Sequence, residues 1–227
     1  MPVNREAYEQ INAEIRNSNV TLIAVSKTKP VSDILKLYNL GQKDFGENYV
    51  QELTEKQSQL PNDIRWHFIG HLQTNKVKVI SSFVHLIHGV DSFRLLKEIN
   101  KQAEKNNRVI DCLLQIHIAQ EETKFGFDEN ELNDLFVNQK AEIENLKNVR
   151  ITGLMGMASF TESKDVIKSE FRYLKSIFEK YRTSSIRNLH FSTLSMGMSG
   201  DYKTAIQEGS NMVRIGSLLF GAREYQK

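Results

Sequence analysis

The order of apolar runs along this chain predicts an α/β protein, a single (β/α)8 TIM barrel with an extra N-terminal helix. Short apolar strands alternate with longer amphipathic helical segments from one end to the other, and unbroken β-then-α alternation implies a parallel sheet. About eight such strands in 227 residues fit a closed barrel, with a doubly wound open sheet as the runner-up. No GxGxxG follows an early strand, which weighs against a dinucleotide-binding version of that open sheet.

The elements follow in order. Asn4 to Arg16 is a polar helix ahead of the first strand, Val20 to Ser26, an apolar run that closes on Lys27. Helix Val31 to Leu40, strand Asp44 to Gly46 and helix Tyr49 to Gln57 come next. Trp66 to Ile69 and Leu86 to Gly89 are the third and fourth strands, and Phe93 to Lys105 is helical. Val109 to His117 is the fifth strand, Glu129 to Leu146 a helix, and Ile151 to Met155 the sixth strand. Asp165 to Tyr181 places Val166, Ile167, Phe171, Leu174, Ile177 and Phe178 on one stripe, the helical period. Leu189 to Phe191 and Met212 to Ile215 complete the set. No Pro/Gly/Ser-rich linker, low-complexity tract or repeat interrupts the chain, so residues 1–227 read as one domain.

Composition narrows the function. Thirty Lys and Arg against 28 Asp and Glu give a formal charge of +2, and no basic block carries interleaved aromatics, so nucleic acid is not expected as a partner. The single cysteine, Cys112, allows no intramolecular disulfide or multi-thiolate metal site, and its apolar surroundings read as core. The N-terminus has no apolar signal core and no run reaches the roughly 18 apolar residues of a membrane span. A cytoplasmic protein without membrane association is therefore expected.

Lys27 stands out because an ammonium at the end of a buried strand is expensive unless paired or shifted in pKa. Such a lysine either snorkels to solvent or serves Schiff-base chemistry with an aldehyde. In a barrel the C-terminal strand ends form the working face, and the loops after strands seven and eight often hold phosphate on backbone N–H groups. Here those loops run Leu194 to Asp201 and Val213 to Ser217, with Ser195, Gly197, Ser199, Gly216 and Ser217 small enough for an anion to approach. Arg214, just ahead of Gly216, is a partner for a ring nitrogen or phosphate, or else an ion-pair member. A Schiff-base lysine and a phosphate cradle in one barrel suggest pyridoxal 5′-phosphate (PLP). A phosphosugar enzyme or class I aldolase is the further alternative and would show no visible chromophore.

The motifs Val25-Ser26-Lys27-Thr28-Lys29-Pro30, Phe45-Gly46-Glu47-Asn48-Tyr49-Val50-Gln51-Glu52 and Trp66-His67-Phe68-Ile69-Gly70-His71-Leu72-Gln73-Thr74-Asn75-Lys76 resemble those of the YggS/PROSC family, the pyridoxal phosphate homeostasis proteins. So do Leu194 to Asp201, and Val213-Arg214-Ile215-Gly216 through Phe220-Gly221-Ala222-Arg223, in matching order over nearly the whole chain. The resemblance implies a barrel similar to the N-terminal domain of alanine racemase, with PLP held as a Schiff base on Lys27. It also implies phosphate binding by Ser195, Met198, Ser199, Gly216 and Ser217, with Asn48 near the cofactor and Arg214 near the pyridine ring.

Lys29 is the rival for the aldehyde, because residues two apart on an extended strand share a face, and as a like charge it could lower the pKa of Lys27. Thr123-Lys124-Phe125-Gly126 resembles the family's Ser-Lys-x-Gly loop but departs from it at Thr123, with Lys124 either a second aldehyde acceptor or a solvated lysine. His67 and His71 share a metal-like spacing but no helix face and no third ligand, so no metal site is expected.

A racemase of the related fold draws a base from a second, all-β domain, for which no strand-rich segment follows the eighth strand here. An arginine beside the pyridine nitrogen also disfavours its protonation and weakens the ring as an electron sink. The sequence therefore points to a non-catalytic monomer that stores, buffers or hands PLP to apo PLP-dependent enzymes. A PLP-dependent racemase or related enzyme is the alternative.

Overall fold

The computed structural model describes residues 3–121 and 125–221. In chain order the elements are α1 (Arg5–Ile15), β1 (Thr21–Val25), α2 (Val31–Asn39), β2 (Asp44–Glu47), α3 (Val50–Gln57), β3 (Arg65–Phe68), a 3-10 turn (Thr74–Lys76) running into α4 (Val77–Ile80), β4 (Leu86–Val90), α5 (Phe93–Lys105), β5 (Ile110–Ile116), α6 (Glu129–Val137), α7 (Lys140–Glu144), β6 (Val149–Gly156), α8 (Lys164–Arg182), β7 (Leu189–Ser195), α9 (Tyr202–Gln207), β8 (Met212–Ile215) and α10 (Ser217–Phe220). The strands pair in parallel and in sequential order, and β1 closes on β8 with Leu22 opposite Val213. This is the expected barrel. Its extra helix, α1, is capped by the Asn4 side chain on Ala7 N–H and buries Tyr8, Ile11 and Ile15 beside α10.

Each strand between barrel and helices is apolar on its outer face, so one continuous core fills the ring between sheet and helices. The barrel interior is different. A small inner cluster of Ile23, Leu86, Leu113, Met155 and Met212 shares it with buried polar groups, among them His67, His88, Ser195 and Arg214. At the N-terminal mouth Arg65 grips Asp44 through two hydrogen bonds, and Arg150 grips Asp111 likewise, at 2.7 Å each.

Strand β6 departs from regular pleating. Thr152 lines the interior near the N-terminal mouth and Met155 belongs to the inner cluster, although residues an odd number apart in a regular strand face opposite ways. Register shifts against β5 and β7 at Gly153 make the change. A Cβ there would fall 1.7 Å from Thr193 O, so only glycine fits. Between β7 and β8 the ladder has a single register pair, Ser195 opposite Met212. Side chains supplement it. Ser210 Oγ lies within hydrogen-bonding distance of Leu194 O, Met196 O and Met212 O, and Asn211 binds Leu194 N–H and Ser192 O.

Two expectations change in detail. The helix expected over 129–146 is split into α6 and α7, because the Asp134 carboxylate accepts from the side chains of both Asn138 and Gln139, and its carbonyl from both their backbone N–H groups. Polar side chains competing for local acceptors end a helix. Strand seven runs on to Ser195, so that serine lies on the sheet rather than in the loop beyond it. Among the described residues no helix is long and apolar enough to cross a membrane.

Candidate functional site

Beyond β1 the chain turns at Ser26–Lys29, with Lys29 N–H donating to Ser26 O at 3.0 Å. Thr28 sits at φ +64°, a left-handed conformation unusual for a β-branched residue. A buried charge cluster holds it there. Lys56, reaching up from α3, donates to Ser26 O at 2.7 Å, Glu47 Oε1 at 2.7 Å and Glu52 Oε1 at 2.6 Å. Ser26 Oγ donates to Glu47 Oε1 at 2.6 Å, and Thr28 N–H donates to Glu52 Oε1 at 2.6 Å. One ammonium and two carboxylates thus grip the backbone on both sides of Lys27. Burial raises the pKa of Glu47, against the pull of Lys56 and Ser26. Because the segment is a turn and not an extended strand, the two-residue spacing of Lys27 and Lys29 does not itself set their faces, yet both line one cavity.

That cavity, about 400 Å³, opens at the C-terminal mouth. Lys27, Asn48, Met198, Ser199, Arg214, Gly216 and Ser217 line it, and Val25, Ile69 and Met157 give it apolar wall. Its size suits a small molecule. Asn48 follows β2, and its Oδ1 is buried with no hydrogen-bond partner among the described residues. Gly70 packs so tightly on the Asn48 backbone that a Cβ would lie 2.4 Å from Asn48 O. Ser199 Oγ accepts the Gly216 N–H at 3.2 Å and so joins the loop after β7 to the turn after β8. Gly197, at φ +97°, lets that loop lie on α9, where a Cβ would meet Ala205 Cβ at 2.5 Å. In the first turn of α10, Ser217 and Leu218 N–H have no acceptor within the helix.

Arg214 is 4% exposed, with Nη1 donating to Ser195 Oγ at 2.7 Å and Nη2 to Gly156 O at 3.0 Å. Burial pushes its pKa down to about 10, opposed by the charge of Asp201, so it remains a cation at neutral pH. Besides Gly197, Ser195 is the expected site residue that does not line the cavity. It lies beneath Arg214, fully buried on β7, and its hydroxyl serves the guanidinium.

The remaining candidates separate. His67 points into the barrel between Asp44 and His88, while His71 pairs with Asp91 at 2.9 Å and stacks on Phe125 with ring centroids 4.2 Å apart. Among the described residues no group of three or more His, Cys, Asp and Glu is placed to hold a metal ion. Cys112 is fully buried and its thiol pKa is pushed up by burial. Thr123, Lys124, Ala222 and Arg223 lie outside the described residues. The sequence reading missed Lys56 and His88. Lys56 reads as an ordinary amphipathic-helix lysine, and nothing local marks either as an interior group.

Residues 5–224 match the alanine racemase N-terminal domain family. The chain is 43% identical over 205 residues to a pyridoxal phosphate homeostasis protein of Aquifex aeolicus, covering 90% of this chain and 87% of that one. It is 40% identical over 215 residues to the protein of that name in Pasteurella multocida, covering 92% and 89%. Among solved structures it is similar to PipY of Synechococcus elongatus, determined with PLP bound, at 32% identity and a TM-score of 0.85 over 95% of this chain and 99% of that one.

Proposed function

We propose, on the premise that the chain belongs to the family of pyridoxal phosphate homeostasis proteins, that its C-terminal mouth binds PLP and that it stores, buffers or delivers the cofactor without catalysing a reaction. The observation that carries this reading is convergence. A lysine amine, a buried guanidinium and the two loops after β7 and β8 meet on one cavity of about 400 Å³. The residues present fit the group, since the buried Asn48 Oδ1, without a hydrogen-bond partner among the described residues, lines the same cavity and asks for a donor.

When bound, PLP supplies an aldehyde carbon open to a primary amine, and a phosphate. Lys27 is the amine, fixed by the Lys56 clamp beneath its turn. Ser199, Gly216 and Ser217 offer hydroxyl and backbone donors to the phosphate, with Met198 beside them. Ser195 acts through Arg214 and not on the phosphate. Arg214 has only hydrogens to give, so a ring nitrogen facing it accepts and stays unprotonated. That supports holding the cofactor over using it, because an unprotonated ring withdraws electrons poorly. The whole of residues 1–227 acts as one domain, a cytoplasmic monomer, with apo PLP-dependent enzymes as recipients.

Purified protein mixed with PLP should develop a visible absorption band that Lys27→Ala abolishes. No band in the wild type would overturn the reading, and a band intact in Lys27→Ala but lost in Lys29→Ala would move the anchor. Delivery is tested by mixing loaded protein with an apo PLP enzyme, where reactivation no faster than from free PLP would remove that part. Amino-acid turnover that depends on Lys27 would overturn the non-catalytic part.

A further inference from the structure

A file of buried polar side chains crosses the barrel interior from Arg214 toward the N-terminal mouth. Arg214 Nη1 lies 2.7 Å from Ser195 Oγ, which lies 3.3 Å from His88 Nδ1. His88 Nε2 lies 3.0 Å from His67 Nδ1, and His67 Nε2 lies 3.0 Å from Asp44 Oδ1. The five residues come from β8, β7, β4, β3 and β2, and all are buried. The far end borders a second polar cavity of about 520 Å³, lined by Asp44 and His67 with Arg65, His85 and Asp111.

The two ends set the direction of every hydrogen bond. A guanidinium only donates and an ionised carboxylate only accepts. Burial pushes the Asp44 carboxyl up, but hydrogen bonds from Arg65 and His67 bring its pKa down to about 2, so it is ionised at neutral pH. His67 must then donate from Nε2. Burial lowers the pKa of both histidines, which keeps the rings neutral. A neutral His67 with its hydrogen on Nε2 accepts at Nδ1, so His88 donates from Nε2 and accepts the Ser195 hydroxyl hydrogen at Nδ1. Between the two ends, Ser195, His88 and His67 each give one hydrogen and receive one, all pointing from cation to anion. The reverse order would set a bare His67 Nε2 against carboxylate lone pairs.

We propose that His88, His67 and Asp44 are positioning residues for Arg214. They lock Ser195 as an acceptor and so fix the guanidinium against the cavity, and a change at Asp44 is felt by a ligand at the opposite mouth. The neighbours stand outside this file. Arg65 binds the same carboxylate from the rim, His85 meets the His67 ring edge-on at 5.3 Å, and Asp201 favours the charge on Arg214.

The first test needs no ligand. Nitrogen-15 NMR of the unmodified protein at neutral pH should show His67 and His88 both neutral and both protonated on Nε2. A charged ring, or a hydrogen on Nδ1 of either, would overturn the proposal. The second test rests on the PLP reading above. Asp44→Asn should shift the visible band of bound PLP and weaken its binding about threefold or more, as expected for coupled groups. In a Ser195→Ala background the same substitution should change neither. Arg65→Gln, which breaks the rim pair but leaves the file whole, should leave the band where it is. Additive effects of Asp44→Asn and Ser195→Ala, or an equal shift from Arg65→Gln, would overturn the proposal, and if Asp44→Asn does not fold the NMR result decides. Wild type that binds no PLP would count against the functional reading alone, and the tautomer result would stand on its own.

Discussion

Replacing Lys56 with methionine isolates the clamp under Lys27. The ammonium is nearly inaccessible and holds three acceptors, one of which, Glu47, has a side chain 0% exposed. Methionine fills most of the same volume, so the effect is that of removing one partner from a buried ion pair, typically about 3–5 kcal/mol. The lower end, about 3 kcal/mol, is expected because Glu47 retains the Ser26 hydroxyl and can take up a proton. For a chain of this size that corresponds to a melting temperature lower by about 6–12 °C. The loss should also depend on pH. Burial already raises the Glu47 pKa in the fold, and removing Lys56 raises it further. A native state that binds more protons than the unfolded one gains stability as pH falls through the raised value, so Lys56→Met should be weakest in mildly alkaline buffer and recover in mildly acidic buffer. The assay is thermal or urea unfolding at both pH values, with Lys56→Met/Glu47→Gln as companion, which should regain most of the loss. A deficit under about 1 kcal/mol, or one equal at both pH values, would refute the view that Lys56 compensates a buried carboxylate.

Thr28→Gly relieves a left-handed threonine and should raise stability by about 1 kcal/mol, read as a melting temperature higher by about 2–4 °C; a lower value would mean the threonine side chain itself holds the turn. Gly153→Ala places a Cβ 1.7 Å from Thr193 O and should cost about 4 kcal/mol or more in urea unfolding, while a near-neutral result would show that the β6 irregularity can move. Asp44, with its pKa depressed to about 2, contributes stability that is present above the unfolded carboxyl value and lost as pH falls toward 2. The stability gap between wild type and Asp44→Asn should therefore close over that range in acid titration, and a gap that persists would place the effect elsewhere.

The barrel was legible because its strands are buried on both faces and so appear as short apolar runs, as in Leu22-Ile23-Ala24, where Leu22 and Ala24 meet the outer core and Ile23 the inner cluster. The second half of β7 was not, because Ser192, Thr193 and Ser195 turn polar groups toward the interior and look like loop. At the site, small residues at the starts of two loops and a lysine at a strand end are local signals, and all but Ser195 and Gly197 of the expected residues share the cavity. The supporting network is not local. Ser195 and His88 are 107 residues apart, and Lys56 binds Ser26 across 30. Pairings of that kind come from barrel closure and leave no spacing to read.

The thin joint between β7 and β8 bears on how the molecule breathes. Sub-global opening follows the weakest set of contacts, and here one register pair, three backbone hydrogen bonds (Asn211 N–H to Leu194 O, Met196 N–H to Met212 O and Arg214 N–H to Gly197 O) and the side chains of Ser210 and Asn211 close the ring. The two loops that leave this joint are the ones that face each other across the cavity, bridged by Ser199 and Gly216. A ligand that grips both would act as a staple over this joint, so amide exchange at Met196 and Asn211, whose N–H groups cross it, should slow when PLP is added.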